Sequence, residues 1–593
     1  MPGFIAHIGK SSLLFAEERR KKLVINKHTA ENYQIERRVV NKFMNDRLFQ
    51  DADDYFVLVE GVILNNHELI NKYKAKSWLD CVLKMYETCG DVFFKDFRGS
   101  FSGLFYDKKQ DKWLIYTNHI GDKQVFLYKI ADNDYLFSSE IGFIVETCKL
   151  NELPLSIDKN GAYFSLTHGF CIEDLTLINE VTKLPAGNYF IIEKGIVIEK
   201  QYHLFSNKPN DIPIEEAIEK IDYYFRKAIK RAFEKDKEYG YSHITCLSGG
   251  LDSRMTTCVA HEMGYTEQLN ITFSQSGYLD FSIAQQIATD LHHDWLYKPL
   301  DGGDFIYRNK FLSNLSYGNG FMLGHGYSLE KYINFDNLGI IHTGQIGDAV
   351  IGSFFKTLEY KNDYRVGEAA YSHELIEKLK DYKFRYDNKY INNEIFCLYT
   401  RAFTGANQGL LTFQENSESY SPFTDVDFLE FCYSIPLKFR LNHKIYFDWI
   451  LYKYPNAANY IWEKSKKKIS HIENKKEKKM YVMGYEVPHI LDVYSFVKYL
   501  RGFVLRRLGI IKKGQKPKTI VINTKNSMNP VDYWYNTNPK IKEFMDSFWE
   551  ENKELIPYED LKEDMTHLFK DCVVYDKLQC LSVLSAIKLI TSK

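Results

Sequence analysis

The chain has 593 residues, 45% of them hydrophobic and 26% charged, which excludes a largely disordered protein and indicates several folded domains. Its 77 basic and 78 acidic residues nearly cancel, so we expect no nucleic-acid partner. The ten cysteines form no CxxC pair, and no stretch approaches the about 18 apolar residues that span a bilayer. We therefore expect a cytoplasmic protein without a transmembrane segment.

The first third of the chain has the pattern of a sheet-rich domain. Short segments rich in strand-forming residues alternate with Gly, Asn and Asp turns, at residues 3–8, 55–64, 101–106, 113–116, 135–138 and 188–193. Residues 206–213 contain two prolines and almost nothing apolar, which is typical of a linker between domains.

The pattern changes after the linker. Apolar residues recur at helical spacing from Ile214 onward. Strands and helices then alternate, at residues 243–247, 253–263, 269–273, 281–291, 295–299 and 339–343. This alternation predicts a parallel α/β core.

From about residue 370 the periodicity is mainly helical. Residues 491–513 form a basic amphipathic stretch that could lie on an anionic membrane surface, which would give the protein a peripheral membrane contact. Packing against the rest of the chain is the commoner explanation for such a stretch.

The strongest motif is Ser248-Gly249-Gly250-Leu251-Asp252-Ser253, which lies between an apolar strand and a helix. Its glycines allow close approach to a phosphate, and the amides and hydroxyls at the helix start can bind the phosphate oxygens. The Walker pattern does not occur, and the motif resembles the pyrophosphate loop of ATP pyrophosphatases. A plain Gly-Gly turn between strand and helix is the alternative.

A second carboxylate follows the predicted strand 339–343, in Gly344-Gln345-Ile346-Gly347-Asp348. Open α/β sheets bind ligands at the carboxyl ends of their strands, so Asp252 and Asp348 could share one Mg²⁺. Taken alone, this stretch is as typical of an ordinary turn.

Together with Thr272-Phe273-Ser274 and Asp280, these motifs resemble the synthetase domain of asparagine synthetases and β-lactam synthetases. Residues 418–425 resemble the E-x-R-x-P-F-L-D segment of that family, and residues 462–466 resemble its R-x-K. In the first domain, residues 61–67, 118–121, 139–140 and 184–187 are similar to the family's G-E-I-Y-N-H, D-H-x-G, S-E and L-P-P-G motifs.

The resemblance implies a fold for each domain. Residues 1–205 would form an Ntn-type, glutamine-amidotransferase-like αββα sandwich, and residues 214–593 an ATP-pyrophosphatase-type parallel α/β domain. Residues 471–593 match no family motif and are expected to form a mainly helical extension of the second domain.

The resemblance also implies the site. Asp252 and Asp348 would bind Mg²⁺, and Arg254, Lys466 and Glu418 would be catalytic. The residues expected to bind ATP and its pyrophosphate are Leu247, Ser248, Gly249, Gly250, Leu251, Asp252, Ser253, Thr272, Phe273, Ser274, Gly344 and Gln345. For Lys466 and Glu418, an exposed surface position is the alternative.

The first domain departs from the family at its glutaminase site, where Pro2, Glu60 and Gly61 stand. Family members carry Cys at the second position as the nucleophile, and Pro2 has none. Glu60 replaces an asparagine that helps stabilise the oxyanion before the turn glycine Gly61, and a negative charge there would oppose catalysis. We expect no glutaminase activity in this domain.

The implied function is that of an ATP-dependent ligase that adenylates a carboxylate, releases pyrophosphate and passes the acyl group to an amine or ammonia. The substrate would be a small-molecule or glycan-linked acid. Alternatives are an asparagine synthetase supplied with free or partner-made ammonia, and a catalytically silent nucleotide-binding scaffold. A tRNA-modifying pyrophosphatase would require a basic surface that is not evident. A homodimer remains an alternative to a monomer.

Overall fold

The structure is a computed structural model of the chain. It describes residues 2–17, 23–308, 332–352, 354, 357–362, 366–472, 480–482, 485–487, 525 and 527–591. The amphipathic stretch 491–513 lies outside these residues. None of the described helices is both long and apolar enough to cross a bilayer.

The first domain is built from two six-stranded antiparallel sheets and four α-helices. Its strands in chain order are β1 (Gly3–Ile8), β2 (Leu23–Thr29), β3 (Tyr33–Val40), β4 (Leu48–Asp51), β5 (Tyr55–Ile63), β6 (Gly99–Asp107), β7 (Lys112–Thr117), β8 (Phe126–Ala131), β9 (Asp134–Ser138), β10 (Val181–Lys183), β11 (Asn188–Glu193) and β12 (Ile196–Gln201). The sheet orders are β10-β8-β9-β1-β3-β2 and β12-β11-β7-β6-β5-β4. The helices are α1 (Asn66–Lys72), α2 (Trp78–Cys89), α3 (Ile141–Leu150) and α4 (Lys159–His168).

Alternation along β5 explains why helices cover the sheets. Phe56 and Leu58 pack between the two sheets, whereas Val57 and Val59 face the opposite way and pack beneath α2. On the other sheet, Ile5 faces outward and packs under α3 and α4. The layers are therefore α, β, β, α, which confirms the sandwich predicted for this domain.

The second domain contains a five-stranded sheet in the order β15-β14-β13-β16-β17, and every pair of neighbours is parallel. Its strands are β13 (Ser242–Cys246), β14 (Gln268–Ser274), β15 (Asp294–Pro299), β16 (Leu338–His342) and β17 (Ser419–Tyr420). Its helices are α5 (Ile214–Glu238), α6 (Leu251–Glu262), α7 (Leu279–Asp290), α8 (Phe305–Arg308), α9 (Gly347–Val350), α10 (Asn393–Cys397), α11 (Gln408–Leu411), α12 (Val426–Ser434), α13 (Leu437–Arg440), α14 (Lys444–Lys453) and α15 (Pro455–Ala458). The predicted parallel α/β fold is confirmed.

Shorter elements occur throughout the described chain. A π-helical segment covers Leu398–Ala406. Two hairpins pair β18 (Ile461–Trp462) with β19 (Lys467–Lys468) and β20 (Met480–Val482) with β21 (Tyr485–Val487). Among the described residues, 3₁₀ turns occur at Gly90–Asp96, Asp301–Gly303, Val366–Ala369, Ile376–Leu379, Asp387–Lys389, Phe413–Glu415, Pro422–Thr424, Leu441–His443, Ile469–His471 and Lys553–Leu555.

The last described segment is helical and bridges the two domains. It contains α16 (Val531–Thr537), α17 (Pro539–Asn552), α18 (Glu559–Asp571) and α19 (Val574–Thr591). The apolar faces of these helices share one core with α3 and α4 of the first domain. Tyr163 on α4 donates a hydrogen bond to Asp564 at 2.7 Å. The sequence assigned this segment to the second domain as a mainly helical extension, and these contacts show that it also packs on the first domain.

The two domains also meet in a buried ion cluster around Glu418, which directly precedes β17. The Glu418 carboxylate lies 2.5 Å from an Arg47 guanidinium nitrogen and 2.9 Å from Lys123 Nζ, both from the first domain. Burial alone would raise the pKa of Glu418, but Lys123 and Arg47 outweigh that effect and hold it below its usual value. The carboxylate is therefore charged and joins the domains.

We predict that Glu418→Gln lowers the free energy of unfolding by about 3 kcal/mol, because it leaves two buried cations short of a counter-charge. The contribution of Glu418 should be fully present above its unfolded pKa of about 4.3 and be lost as the pH falls through its lower folded value. Urea unfolding at several pH values measures both effects. Glu87→Gln, at an exposed position on α2, is the control. Equal stability of the two variants would contradict the prediction.

Candidate functional site

The site is built around the loop between β13 and α6. Gly249 donates its N–H to Asp280 at 2.8 Å. A Cβ at Gly249 would lie 2.9 Å from the Glu463 side chain and 3.0 Å from Asp280, so only glycine fits this turn. The Ser248 and Ser253 hydroxyls are 2.9 Å apart, and the Ser248 amide donates to Ser253 Oγ at 3.0 Å. The loop is thus held in place by its own side chains.

The two predicted metal ligands, Asp252 and Asp348, lie side by side. The backbone N–H of Asp348 donates to Asp252 Oδ2 at 3.0 Å, and the Tyr446 hydroxyl donates to Oδ1 at 2.8 Å. Gly347 makes this approach possible, since a Cβ there would lie 2.6 Å from the Asp252 carboxyl carbon. Residues almost one hundred positions apart therefore meet at the ends of two neighbouring strands.

Electrostatics at this pair favour a cation. Burial raises the pKa of Asp252 well above its usual value, and the nearby Asp348 carboxylate raises it further. A divalent cation between the two carboxylates would remove that penalty, and carboxylate oxygens are the ligands Mg²⁺ prefers. The two side chains therefore fit a Mg²⁺ site.

A cleft of about 420 Å³ opens over the loop at the carboxyl ends of the parallel strands. It is lined by ten of the twelve residues predicted to bind the nucleotide, which are Leu247, Ser248, Gly250, Leu251, Asp252, Ser253, Thr272, Phe273, Gly344 and Gln345. The other two, Gly249 and Ser274, are not part of the lining. Ser274 is fully buried, and its hydroxyl donates to the Gln275 carbonyl. Gly249 does not face the cleft, but its bond to Asp280 holds the loop in shape.

Arg254 is not part of the cleft wall, which corrects its predicted catalytic role. Its side chain is 0% exposed. One guanidinium nitrogen donates to the carbonyls of Ala457 and Tyr460 at 3.2 and 3.3 Å, and the other to those of Gly249 and Ile461 at 2.9 and 2.7 Å. Arg254 therefore connects the phosphate loop to the end of α15 and the residues that follow it. Its guanidinium is hydrogen-bonded to backbone carbonyl oxygens.

Glu418 is also absent from the cleft wall. Its carboxylate is enclosed by Arg47 and Lys123 at the domain junction, so the predicted contact with substrate or amine is not formed. An exposed surface position, the alternative considered from the sequence, is equally wrong, because Glu418 is 1% exposed. The structure places it in the ion cluster between the domains.

The lysine that reaches the cleft is Lys464, two residues before the predicted Lys466. Lys464 lines the cleft, whereas Lys466 is exposed outside it and is not part of the lining. The amide of Lys466 donates to the Trp462 carbonyl at 2.8 Å, which turns the chain after β18. The resemblance therefore located a segment that reaches the cleft, with Lys464 rather than Lys466 in its lining.

Several cleft residues gave no signal in the sequence. Met528, far along the chain, lines the cleft, and its carbonyl accepts the Gln275 N–H at 3.0 Å. His443 and Tyr446 enter from the region of α14. Burial lowers the pKa of His443 and outweighs the opposite effect of Asp348, so its imidazole is neutral. Only long-range packing brings these residues together.

Residues with strained backbone lie in and beside the cleft. Ile346, Asn442 and His443 have φ values of 60°, 54° and 59°, and Lys466 has 58°. A positive φ is rare for any residue other than glycine, and for β-branched isoleucine it is a true outlier. Such strain concentrates at functional sites, where the surrounding fold enforces it.

The glutaminase-like site of the first domain contains an unusual carboxylate. Glu60 on β5 is 1% exposed, and neither of its oxygens accepts a hydrogen bond from the described residues. An Arg47 nitrogen lies 3.5 Å away. Gly61 has φ of 104°, and a Cβ there would lie 2.1 Å from the Ser100 carbonyl. Pro2 directly precedes β1. The Glu60 charge therefore belongs to the same ionic region as Glu418.

Comparisons with known proteins agree with this architecture. Residues 14–203 match the family model for a glutamine amidotransferase domain, and residues 220–308 match the model for asparagine synthase. A putative asparagine synthetase (glutamine-hydrolyzing) 2 of Methanocaldococcus jannaschii is 25% identical over 331 residues, which are 53% of this chain and 61% of that protein.

Two bacterial relatives are similar at the same level. Asparagine synthetase B (glutamine-hydrolyzing) of Escherichia coli K12 is 21% identical, over 44% of this chain and 45% of its own. Asparagine synthetase (glutamine-hydrolyzing) 2 of Bacillus subtilis 168 is 25% identical, over 51% and 43%. The chain thus spans about half the length of the curated relatives it matches. It is an asparagine synthase-family protein, with a glutamine amidotransferase-type domain followed by an asparagine synthase-type domain.

Proposed function

We propose that the protein is an ATP-dependent ligase that activates a carboxylate as an acyl-adenylate and transfers the acyl group to an amine or ammonia. One observation carries the proposal: Asp252 and Asp348 meet beside a glycine loop at the floor of a cleft large enough for a nucleotide. Family membership supports the same chemistry. A silent scaffold would have no need to keep both carboxylates together.

The proposed reaction has two steps. An oxygen of the substrate carboxylate attacks the α-phosphorus of ATP, the bond to the β-phosphate oxygen breaks, and pyrophosphate leaves with the electron pair. The amine nitrogen then attacks the acyl carbon, AMP leaves, and one amine proton is released. A Mg²⁺ on Asp252 and Asp348 would neutralise charge on the pyrophosphate.

The chain's own residues serve this reaction by position and charge. The amides at the start of α6 and the hydroxyls of Ser248 and Ser253 bind phosphate oxygens, and Lys464 places a cation at the cleft where negative charge develops. Arg254 acts only through the loop that it holds in place.

The nitrogen source proposed is an external amine or ammonia. The relatives are named as glutamine-hydrolyzing enzymes, whereas Glu60 places a buried carboxylate in the corresponding domain here. A negative charge there would oppose formation of an oxyanion. The names of the relatives make an asparagine synthetase supplied with ammonia the second candidate.

We predict that Asp252→Asn lowers acid-dependent pyrophosphate release by more than about 100-fold, because metal stabilisation of phosphoryl charge is worth several kcal/mol. The assay screens candidate acids with ATP, Mg²⁺ and hydroxylamine as a general acceptor. Asp294→Asn, at an exposed carboxylate on β15, is the control and should keep wild-type activity. Equal pyrophosphate release by Asp252→Asn and wild type would remove the metal assignment.

The two lysines near β18 give a second prediction. Lys464→Ala should lower the rate constant for pyrophosphate release by about 100-fold, since its cation faces the cleft, while Lys466→Ala should stay within about twofold. Single-turnover kinetics with saturating ATP measure both. A larger loss of rate in Lys466→Ala than in Lys464→Ala would return the catalytic role to Lys466.

A third prediction concerns glutamine. The purified chain should release no glutamate from glutamine above the uncatalysed rate, with or without ATP, because of the charge at Glu60. Ammonium or hydroxylamine should support product formation in the same mixture. Glutamate release that is coupled to ATP use would contradict the proposed nitrogen source.

A further inference from the structure

A second cavity, of about 600 Å³, opens beside the nucleotide cleft. Five residues line both cavities: Gln345, Asp348, Ala406, His443 and Lys464. A molecule in the second cavity therefore lies against residues that also face the nucleotide. Its volume falls within the range of about 300–1,000 Å³ typical of sites for drug-sized ligands, which exceeds what a small amino acid requires.

The charges of this cavity favour an anion. Arg401 and Lys464 line it, both are exposed, and neither forms a salt bridge with the described part of the chain. Each cation lies near an aromatic ring instead. Arg401 Cζ is 5.8 Å from the centre of the Tyr371 ring, and Lys464 Nζ is 5.6 Å from the centre of the Trp462 ring. Two cations are thus free to pair with ligand oxygens, and arginine suits planar carboxylate or phosphate groups.

The same wall offers little to a positively charged ligand. Asp348 is the one carboxylate among the described lining residues, and it belongs to the proposed metal pair. An α-ammonium group bound here would lie near two cations and a metal ion without a counter-charge, which is unfavourable. This composition disfavours an α-amino acid such as aspartate.

The rest of the wall is partly apolar and has a fixed shape. Phe354, Ile346 and Tyr371 supply apolar and aromatic surface. The left-handed backbone at Ile346, described above, lies in this wall. Strain of this kind indicates a surface shaped for a ligand.

We infer that the second cavity binds the acyl substrate, and that this substrate is a carboxylic acid with a second anionic group, an apolar body and no free α-ammonium group. The inference rests on the proposed ligase function and adds the class of acid. Arg401 binds the second anionic group, Lys464 faces the carboxylate to be adenylated, and the apolar body packs on Phe354 and Tyr371.

The test compares four probe acids with the full chain, ATP, Mg²⁺ and hydroxylamine. Phenylsuccinate has all the required features, 3-phenylpropionate lacks the second anion, succinate lacks the apolar body, and aspartate adds an ammonium group. We expect kcat/KM for pyrophosphate release to be at least about tenfold higher with phenylsuccinate than with each of the others. Higher or equal activity with aspartate would overturn the inference.

A variant tests the role of Arg401. Arg401→Gln should reduce the preference for phenylsuccinate over 3-phenylpropionate from about tenfold or more to near unity, mainly through KM. Lys438→Gln, which removes an exposed cation on α13, should keep the preference. Unchanged preference in Arg401→Gln would overturn the assignment.

Failure of the inference is distinguishable from failure of the ligase proposal. If ATP binds with Mg²⁺ in a manner that requires Asp252 but none of the four acids releases pyrophosphate, the acid class is wrong and the nucleotide site stands. If ATP does not bind, or binds equally well to Asp252→Asn, the ligase proposal itself fails.

Discussion

The site is organised around the carboxylate of Asp252. It receives the amide of Asp348 and the hydroxyl of Tyr446, so three distant parts of the chain, the starts of α6, α9 and α14, meet on one side chain. Burial and a second carboxylate penalise its charged form. This arrangement is costly without a cation and favourable with one, which links the geometry of the cleft to metal and phosphate chemistry.

The first domain supports this site through a buried ion cluster and through packing contacts. Arg47 and Lys123 compensate the buried Glu418 at the start of β17, a strand of the sheet that carries the phosphate loop. The C-terminal helices add a second junction, since they pack on α3 and α4 and deliver Met528 to the cleft. The sandwich therefore supports the neighbouring sheet, and this support does not depend on glutaminase chemistry.

Local patterns predicted much of the fold. Strand patterns indicated a sheet-rich first domain, and the strand-loop-helix order around Gly249 indicated the phosphate loop, because these signals depend on neighbours in the sequence. The sandwich itself was implied by the family resemblance. Arg254 and Lys464 could not be assigned in this way. Whether a side chain turns into the cleft or onto backbone carbonyls depends on segments two hundred residues away, and the four helices after residue 530 reach the first domain for the same reason.

The most direct test of the account is the binding of Mn²⁺, used in place of Mg²⁺, followed by electron paramagnetic resonance in the presence of ATP. The account predicts one tightly bound Mn²⁺ per chain that requires ATP and is lost in both Asp252→Asn and Asp348→Asn. Retention of that bound ion in either variant would contradict the claim that the two aspartates hold a metal beside the nucleotide.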